Sequence, residues 1–192
     1  MPKIVNDEDI YRAVIEIISR YGYANATTKH IAETANISEV TIFRKFDSKQ
    51  NLVKKAISSV INQSELANAS QYTGDIISDF HRILKAYQDT AVMHGDFVFA
   101  LFQEMAYHPE LVDAIDEPMN IFLDIGKLIN RYQEEGKLRK ENPLHTLAVL
   151  FGPVMYTTMM RKALPIKNVP PLNLSEYLAL FLAGRENKNQ ES

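Results

Sequence analysis

The sequence predicts an all-α fold with two parts, a three-helix unit in helix-turn-helix order at the N-terminus and a larger helical domain after it. Apolar residues repeat at helical spacing along almost the whole chain, and no stretch alternates convincingly as a strand does. Ser, Thr and Asn residues stand just before the first periodic stretches, where helix N-caps belong. Most prolines after residue 65 mark helix starts, breaks or linkers.

Four helices are predicted within the first 65 residues. The first carries an apolar repeat and ends at Gly22, and the third ends near Phe46. The expected N-caps of the four helices are Asn6 or Asp7, Thr27, Ser38 and Ser48. The fourth helix has one apolar stripe, formed by Leu52, Val53, Ala56, Ile57, Val60 and Ile61.

Longer helices are predicted after residue 65. Their expected ranges are about 75–94, 97–107, 109–135, 143–163 and 173–185. The prolines expected to start, break or link them are Pro109, Pro118, Pro143, Pro165, Pro170 and Pro171. We therefore expect a helix-turn-helix domain over residues 1–47, a larger helical domain over 48–185, and a frayed polar tail over 186–192.

Composition excludes several kinds of site and location. The chain contains no cysteine, which removes disulfides, thiolate metal ligands and cysteine nucleophiles. No apolar run approaches the roughly 20 residues that a membrane-spanning helix needs. The N-terminal segment lacks the charged and apolar regions of a secretion signal. A cytoplasmic protein is therefore expected.

Charge is distributed unevenly along the chain. The net charge is −3 overall, yet residues 1–60 hold nine Lys/Arg against seven Asp/Glu, a net of +2. The remaining residues hold 12 Lys/Arg against 17 Asp/Glu, a net of −5. Because phosphates respond to a local positive patch rather than to the total charge, a small cationic module on an acidic body is possible.

The third predicted helix has an unusual outward face. The preceding turn needs a residue that tolerates the left-handed region, and Asn36 is the best choice after glycine. At 100° per residue Ile42 and Phe46 point inward, which leaves Val40 and Arg44 at the centre of the opposite face. In the major groove of DNA, such residues could meet a thymine methyl and a guanine edge or phosphate. The alternative is that Phe43 packs on the first helix and the cations form an ordinary solvated patch.

Residues 7–55 resemble the N-terminal DNA-binding domain of the TetR family of bacterial transcriptional regulators. The resemblance rests on an amphipathic first helix ending in Gly22-Tyr23, followed by ATTKHIAETANIS, TIFRKF and DSKQNLV. It implies that the chain is a regulator, in most cases a repressor, that binds a palindromic double-stranded operator as a homodimer. The DNA contacts it implies are Thr27, Thr28, Lys29, Glu39, Val40, Thr41, Phe43, Arg44, Lys45 and Lys49.

The chain departs from the family pattern at several of these positions. Asn36 stands where the turn usually has glycine, and Val40 where the third helix often has glycine. Phe43 stands where the family often has tyrosine, so the hydroxyl that would donate to a phosphate is missing. Histidine is common where this chain has Lys45, and an acidic residue is common where it has His30.

For the region after residue 65 the resemblance covers architecture and the QEEGKL segment, and it implies a domain that dimerises and binds a small-molecule effector. The helix predicted over 97–107 is apolar on both faces, which predicts burial on all sides. Candidate effector-binding residues are Tyr87, Phe99, Phe102, Gln103, Met105, Phe122, Met155, Tyr156 and Met159. Met and aromatic residues at helical spacing are also ordinary core residues. The sequence does not identify the effector.

The last two predicted helices each carry an apolar face that lacks an obvious partner, and Pro153 is expected to kink the longer one. We expect these helices to form a four-helix bundle with those of a second copy. The stripe expected on the last helix consists of Leu174, Tyr177, Leu178, Phe181 and Leu182.

Catalysis and metal binding receive little support. Glu104 and His108 have a spacing that could ligate a metal on one helical turn, but His108 precedes Pro109, which disfavours helical geometry. There is no glycine-rich phosphate loop and no GxSxG motif, so no enzyme, cofactor or metal is expected. Two alternatives to a DNA-binding regulator remain, a helix-turn-helix protein that binds only protein partners and a helical small-molecule binder.

Overall fold

In the computed structural model, residues 6–163, 170 and 172–185 are described, and within them the secondary structure is helical without a strand. The α-helices are α1 (Asp7–Asn25), α2 (Thr28–Thr34), α3 (Glu39–Phe46), α4 (Lys49–Asn62), α5 (Ile76–Glu104), α6 (Asp116–Glu134), α7 (Pro143–Ala163) and α8 (Leu174–Ala183). Short 3-10 turns occur at Glu65–Asn68, Pro109–Leu111 and Asp113–Ile115. The predicted all-α class is confirmed. The predicted tail, Pro165 and Pro171 lie outside the described residues.

Each of the first four helices begins at a polar side chain that accepts a backbone N–H. The Asn6 side-chain Oδ1 accepts from the Glu8 N–H, and the Thr27 hydroxyl accepts from the His30 N–H at 3.1 Å. Ser38 and Ser48 cap α3 and α4 in the same way. These bonds satisfy amides that have no partner within the helix. All four predicted caps are confirmed.

The turns between these helices depend on left-handed backbone. Asn36 has a φ of 56° between α2 and α3, as predicted, and Asp47 has a φ of 67° between α3 and α4. Gly22 has a φ of 77° and interrupts α1 where the sequence predicts its end, but the chain then makes another turn to Asn25. Asn and Asp adopt this conformation more easily than other non-glycine residues.

The described residues form two compact units. The first contains the residues up to Gln63 together with His94–Glu117, and the second contains Ser64–Met93 together with the residues from Pro118 onward. The first unit therefore includes α4 and the end of α5 as well as the predicted domain 1–47. Within it, Ile42 and Phe46 hold α3 against the core, being 1% and 8% exposed. Other buried residues of this core include Ile10, Val14, Ile18, Ile31, Leu52 and Val53.

The core of the second unit surrounds a buried carboxylate. Asp79, at the start of α5, accepts hydrogen bonds from the Tyr132 hydroxyl (2.5 Å), the Thr73 hydroxyl (2.7 Å) and the Arg82 guanidinium (2.9 Å). Burial alone would raise the pKa of Asp79, but these hydrogen bonds outweigh it and hold the pKa below its ordinary value. The carboxylate thus joins α5 to α6 through charge-assisted hydrogen bonds.

Three predictions about the middle of the chain were wrong. The helices predicted over 75–94 and 97–107 are one continuous helix, α5, which includes Gly95 and Asp96. Its last part is not buried on all sides, since Phe97 is 1% exposed whereas Phe102 is 63% exposed. The helix predicted from residue 109 begins only at Asp116, after two 3-10 turns.

The predicted orientation of α8 was also wrong. The stripe expected to face a second copy instead faces the chain's own second unit, with Phe181 at 5.9 Å from the Phe80 ring and the Tyr177 hydroxyl donating to the Leu150 carbonyl at 3.2 Å. Leu180 lies on the opposite side of α8 and is 70% exposed. Periodicity identifies residues that share a face, but it does not say which face the chain itself covers.

Candidate nucleic-acid interface

Helix α3 exposes an apolar and cationic surface. Val40 is 75% exposed and Phe43 is 50% exposed, and the Arg44 side chain is exposed beside them. This surface is opposite Ile42 and Phe46, as the sequence predicts. An exposed valine and phenylalanine next to arginine form an unfavourable water-facing surface, but they suit a helix that enters the major groove.

The other end of α3 is anchored by an aromatic contact. The ring of Phe46 lies 5.9 Å from the ring of Tyr11 on α1. Phe46, rather than the half-exposed Phe43, is therefore the phenylalanine of α3 that is buried in the core. This arrangement differs from the alternative in which Phe43 supplies the packing.

A hydrogen bond joins the first turns of α2 and α3. The Thr28 hydroxyl donates to the Glu39 carboxylate at 2.5 Å, and both side chains are half-buried. Thr41 is also half-buried, and its hydroxyl lies 2.9 Å from that of Ser38. Of the predicted DNA contacts in the helix-turn-helix, Thr28, Glu39 and Thr41 therefore also stabilise the motif itself.

The predicted cationic contacts differ in their availability. Lys29 is exposed beside Thr27 at the start of α2. Lys45 donates to the Asp7 carboxylate and forms an ion pair with it. The ammonium group of Lys45 therefore already has a partner in the chain, whereas the cations of Lys29 and Arg44 extend from the exposed surface.

Lys49 is turned toward the protein, which differs from the phosphate contact expected from the sequence. Its ammonium donates to the Tyr23 carbonyl and lies 3.9 Å from the centre of the Tyr23 ring. Burial lowers the pKa of Lys49, and the nearby carboxylates of Glu104 and Glu110 oppose that shift. The contact of Lys49 with DNA stays a prediction, and it competes with these intramolecular partners.

The surroundings of Tyr23 were not predicted. Burial and a hydrogen bond to Glu110 raise the pKa of Tyr23 to about 12, so its hydroxyl stays protonated. The His108 ring lies 5.0 Å from the Tyr23 ring, and its Nε2 atom is 3.5 Å from the Glu104 carboxylate. Residues far apart in sequence meet here. The Gly22-Tyr23 pair marked the end of the first helix in the sequence, but nothing in the sequence indicated the residues that surround Tyr23.

The candidate effector residues divide between the two units. Phe99, Phe102, Gln103 and Met105 belong to the first unit, and the first three of these are exposed. In the second unit Tyr87 lies 4.4 Å from Phe151 and 6.5 Å from Phe122, measured between ring centres.

Helix α7 carries the remaining effector candidates. Met155 and Tyr156 are more than half exposed, and Met159 is partly buried. Phe151 was not among the candidates, although it completes the aromatic cluster with Tyr87 and Phe122. In the sequence, Phe151 lies one helical turn before the candidate Met155, and this spacing could have identified it as a further candidate.

The described part of the chain offers neither a cluster of metal ligands nor a membrane-spanning helix. Among the described residues there is no group of three or more His, Asp or Glu side chains that could hold a metal ion. Within the same part of the chain, no helix is both long enough and apolar enough to cross a membrane.

Comparison with known proteins gives the context of this surface. Residues 10–56 match the family of bacterial regulatory proteins called tetR. YvkB of Bacillus subtilis, an uncharacterized HTH-type transcriptional regulator, is 32% identical over 148 residues, which cover 74% of this chain and 78% of YvkB. A second HTH-type regulator, from Mycobacterium bovis, is 23% identical over 126 residues, which are 66% of this chain and 59% of that protein.

A solved structure extends the similarity to the whole fold. The crystal structure of a TetR family transcription regulator from Marinobacter aquaeolei matches with a TM-score of 0.75, covering 95% of this chain and 96% of that one. The two sequences are 10% identical, so this comparison concerns the fold alone.

Proposed function

The chain belongs to the TetR family of bacterial regulatory proteins and is a DNA-binding transcriptional regulator, and we propose that it is a repressor released by a small-molecule effector. In this proposal a homodimer binds a palindromic operator, with one α3 helix in the major groove of each half-site. The observation that carries the proposal is the exposed face of α3, on which Val40 and Arg44 stand opposite the buried anchors Ile42 and Phe46.

Each residue of the interface has a proposed role. Arg44 reads a guanine edge and Val40 contacts a thymine methyl, with Phe43 beside them. Thr27, Thr28 and Lys29 contact phosphates next to the groove, which fixes the position of α3 without reading sequence. Glu39 and Thr41 hold the motif in shape, and Lys45 and Lys49 contact phosphates only if they leave Asp7 and Tyr23.

The proposed dimer uses the outward faces of α7 and α8. On α7, Leu144 is 64% exposed and Met155 is 52% exposed, and they lie about three turns apart on one side. On α8, Leu180 is exposed between Ala179 and Ala183. Helices with small and apolar exposed residues pack closely against symmetry mates.

Sedimentation velocity tests the dimer. We expect a dimer at micromolar concentration for the wild-type protein and a monomer for Leu180→Glu. A monomeric wild-type protein at that concentration would contradict the dimer and, with it, the palindromic operator.

The proposed effector site contains Tyr87, Phe122 and Phe151. Their ring centres lie 4.4–6.5 Å apart, so the rings contact one another, and in this proposal a small, mainly apolar ligand binds by separating them, with the Tyr87 hydroxyl as a polar contact. An effector can release DNA only if it binds the DNA-free conformation more tightly. Phe122→Ala is expected to raise the effector concentration needed for release without weakening operator binding.

Salt-dependent binding to duplex DNA tests the regulator against its alternatives. We expect affinity for duplex DNA to fall steeply with salt, because contacts to phosphates release counterions. A helix-turn-helix protein with only protein partners, or a helical small-molecule binder, has no such dependence. Absence of duplex binding at 50 mM salt would overturn the proposal.

A further inference from the structure

The interruption of α1 leaves backbone groups that side chains from elsewhere in the first unit satisfy. Gly22 leaves helical geometry with a φ of 77°, just before the last turn of α1. Beyond it, the Ala24 N–H donates to the Glu104 carboxylate at 2.7 Å. The carbonyl of the preceding residue, Tyr23, accepts a hydrogen bond from the Lys49 ammonium. The Tyr23 carbonyl and the Ala24 N–H belong to the same peptide group, so an ammonium from α4 and a carboxylate from α5 bind the two sides of one peptide of α1.

Gly22 is required here because of its backbone conformation. Its positive φ is strained for any residue with a side chain. A β-carbon at this position would overlap Oε1 of Glu104, so the flexible end of that side chain would have to move away from α1. The glycine therefore makes a notch in α1 that receives the end of the Glu104 side chain.

The environment of Glu104 makes this contact strong. Glu104 is half-buried, and its Oε2 atom faces both the Ala24 N–H and the His108 ring, the latter at 3.5 Å. The Lys49 ammonium is close enough for the Glu104 carboxylate to oppose the lowering of the Lys49 pKa. A hydrogen bond to a charged acceptor that is partly shielded from water is stronger than one between neutral groups.

The contact bears on DNA reading because of what it connects. α1 packs against α2 and α4, so its orientation is coupled to that of α3. Glu104 is the last residue of α5, and residues 76–93 of the same helix belong to the second unit. Within the first unit, the Glu104 contact therefore attaches α1, and through it α2 and α3, to the end of α5.

We propose that Glu104 is a positioning residue for operator binding, and that its carboxylate, seated in the Gly22 notch, sets the orientation in which each subunit presents α3. The inference rests on the proposed function, since it concerns how two subunits match the spacing of two half-sites. Loss of the contact lets α3 adopt several orientations, so operator binding weakens and tolerance of altered spacing increases.

Three substitutions separate the hydrogen bond from the charge. Glu104→Ala removes both, and Glu104→Asp keeps the charge but is one methylene too short to reach Ala24. Glu104→Gln keeps an oxygen that accepts the Ala24 N–H but removes the charge. The matched control is Glu16→Ala, which removes a carboxylate on α1 whose ion pair is with Arg20 of the same helix.

The experiment measures affinity for an operator selected with the wild-type protein and for the same operator with one base pair inserted between its half-sites. Glu104→Ala and Glu104→Asp are expected to bind the selected operator about 5- to 30-fold more weakly. They should also discriminate at least about threefold less against the expanded operator. Glu104→Gln keeps the acceptor oxygen but loses its charge, so it is expected to lose less affinity than Glu104→Asp but to bind more weakly than wild type. Glu16→Ala is expected to stay within about twofold of wild type on both DNAs.

The outcomes distinguish this inference from the proposed function. If the wild-type protein selects no operator, the proposed function fails. If it selects an operator, and Glu104→Asp keeps wild-type affinity and spacing preference, the positioning role is overturned while the function stands. Should Glu104→Ala fail to fold, the contrast between Glu104→Asp and Glu104→Gln decides, because each retains a polar side chain of similar shape.

Discussion

Thr28 on α2 donates its hydroxyl hydrogen to the Glu39 carboxylate on α3 across 2.5 Å, which fixes the first turn of one helix to the first turn of the other. Thr28→Val keeps the shape of the side chain and removes this bond. We expect the free energy of unfolding to fall by about 1 kcal/mol, and operator affinity to fall further because a proposed phosphate contact is also lost. Thermal unfolding and DNA titration measure the two effects.

Thr34→Val is the control for that prediction. Its hydroxyl bonds the His30 carbonyl of its own helix at 3.0 Å, so its loss leaves the connection between α2 and α3 intact. Equal losses of operator affinity in the two variants would contradict the role given to Thr28.

Lys29 and Lys49 are expected to differ in their effect on the salt dependence of binding. Lys29→Ala removes an exposed cation and should reduce the slope of log affinity against log salt by about one unit per subunit. Lys49→Ala should leave the slope unchanged and destabilise the protein by about 1 kcal/mol, because it removes the cation from the Tyr23 ring. A reduced slope with unchanged stability in Lys49→Ala would show that its ammonium moves to a phosphate in the complex.

Arg44 and Val40 are expected to determine sequence preference. If Arg44 reads a base, Arg44→Ala costs about 1 to 3 kcal/mol on the operator and relaxes preference at one position of each half-site. Val40→Ala should cost less and act only where a thymine methyl is present. Affinities on the operator and on scrambled DNA check both, and an equal loss on both DNAs would assign Arg44 to the phosphates.

Asp79 is expected to make stability depend on pH. Since its pKa in the folded protein lies below the ordinary value of 3.8, its contribution is present above that value and is lost as the pH falls through the folded pKa. Asp79→Asn should lower the free energy of unfolding by about 2 to 3 kcal/mol near neutral pH. The difference from wild type should shrink below pH 3.8, as measured by thermal unfolding.

Asp89→Asn is the control on the same helix, because the Asp89 side chain is about half exposed and pairs with Lys85 one turn away. We expect its unfolding temperature to follow wild type across the same pH range. A constant difference between Asp79→Asn and wild type at all pH values would mean that Asp79 titrates alike in the folded and unfolded chains.

Local features were predictable from the sequence, because each depends on only a few neighbouring residues. The caps at Thr27 and Ser38 and the turn at Asn36 follow from side-chain chemistry within three or four positions. The inward side of α3 followed from helical periodicity in the same way.

Features that depend on distant residues were not predictable. The Glu104 carboxylate and the Ala24 amide are 80 residues apart, and no local pattern marks their contact. The outward position of Leu180 is a similar case, because the apolar residues of α8 could have faced either the chain or a partner. The continuity of α5 through Gly95 depends on packing that outweighs its weak helix propensity.

Selection of bound fragments from random DNA duplexes tests the central claim most directly, since it needs neither the operator nor the effector to be known. We expect the bound fragments to share a two-fold symmetric motif, with half-sites whose centres lie about one helical turn (~34 Å) or a multiple of it apart. Recovery of fragments without a shared motif, or with one asymmetric site, would contradict a dimer that reads DNA with two α3 helices.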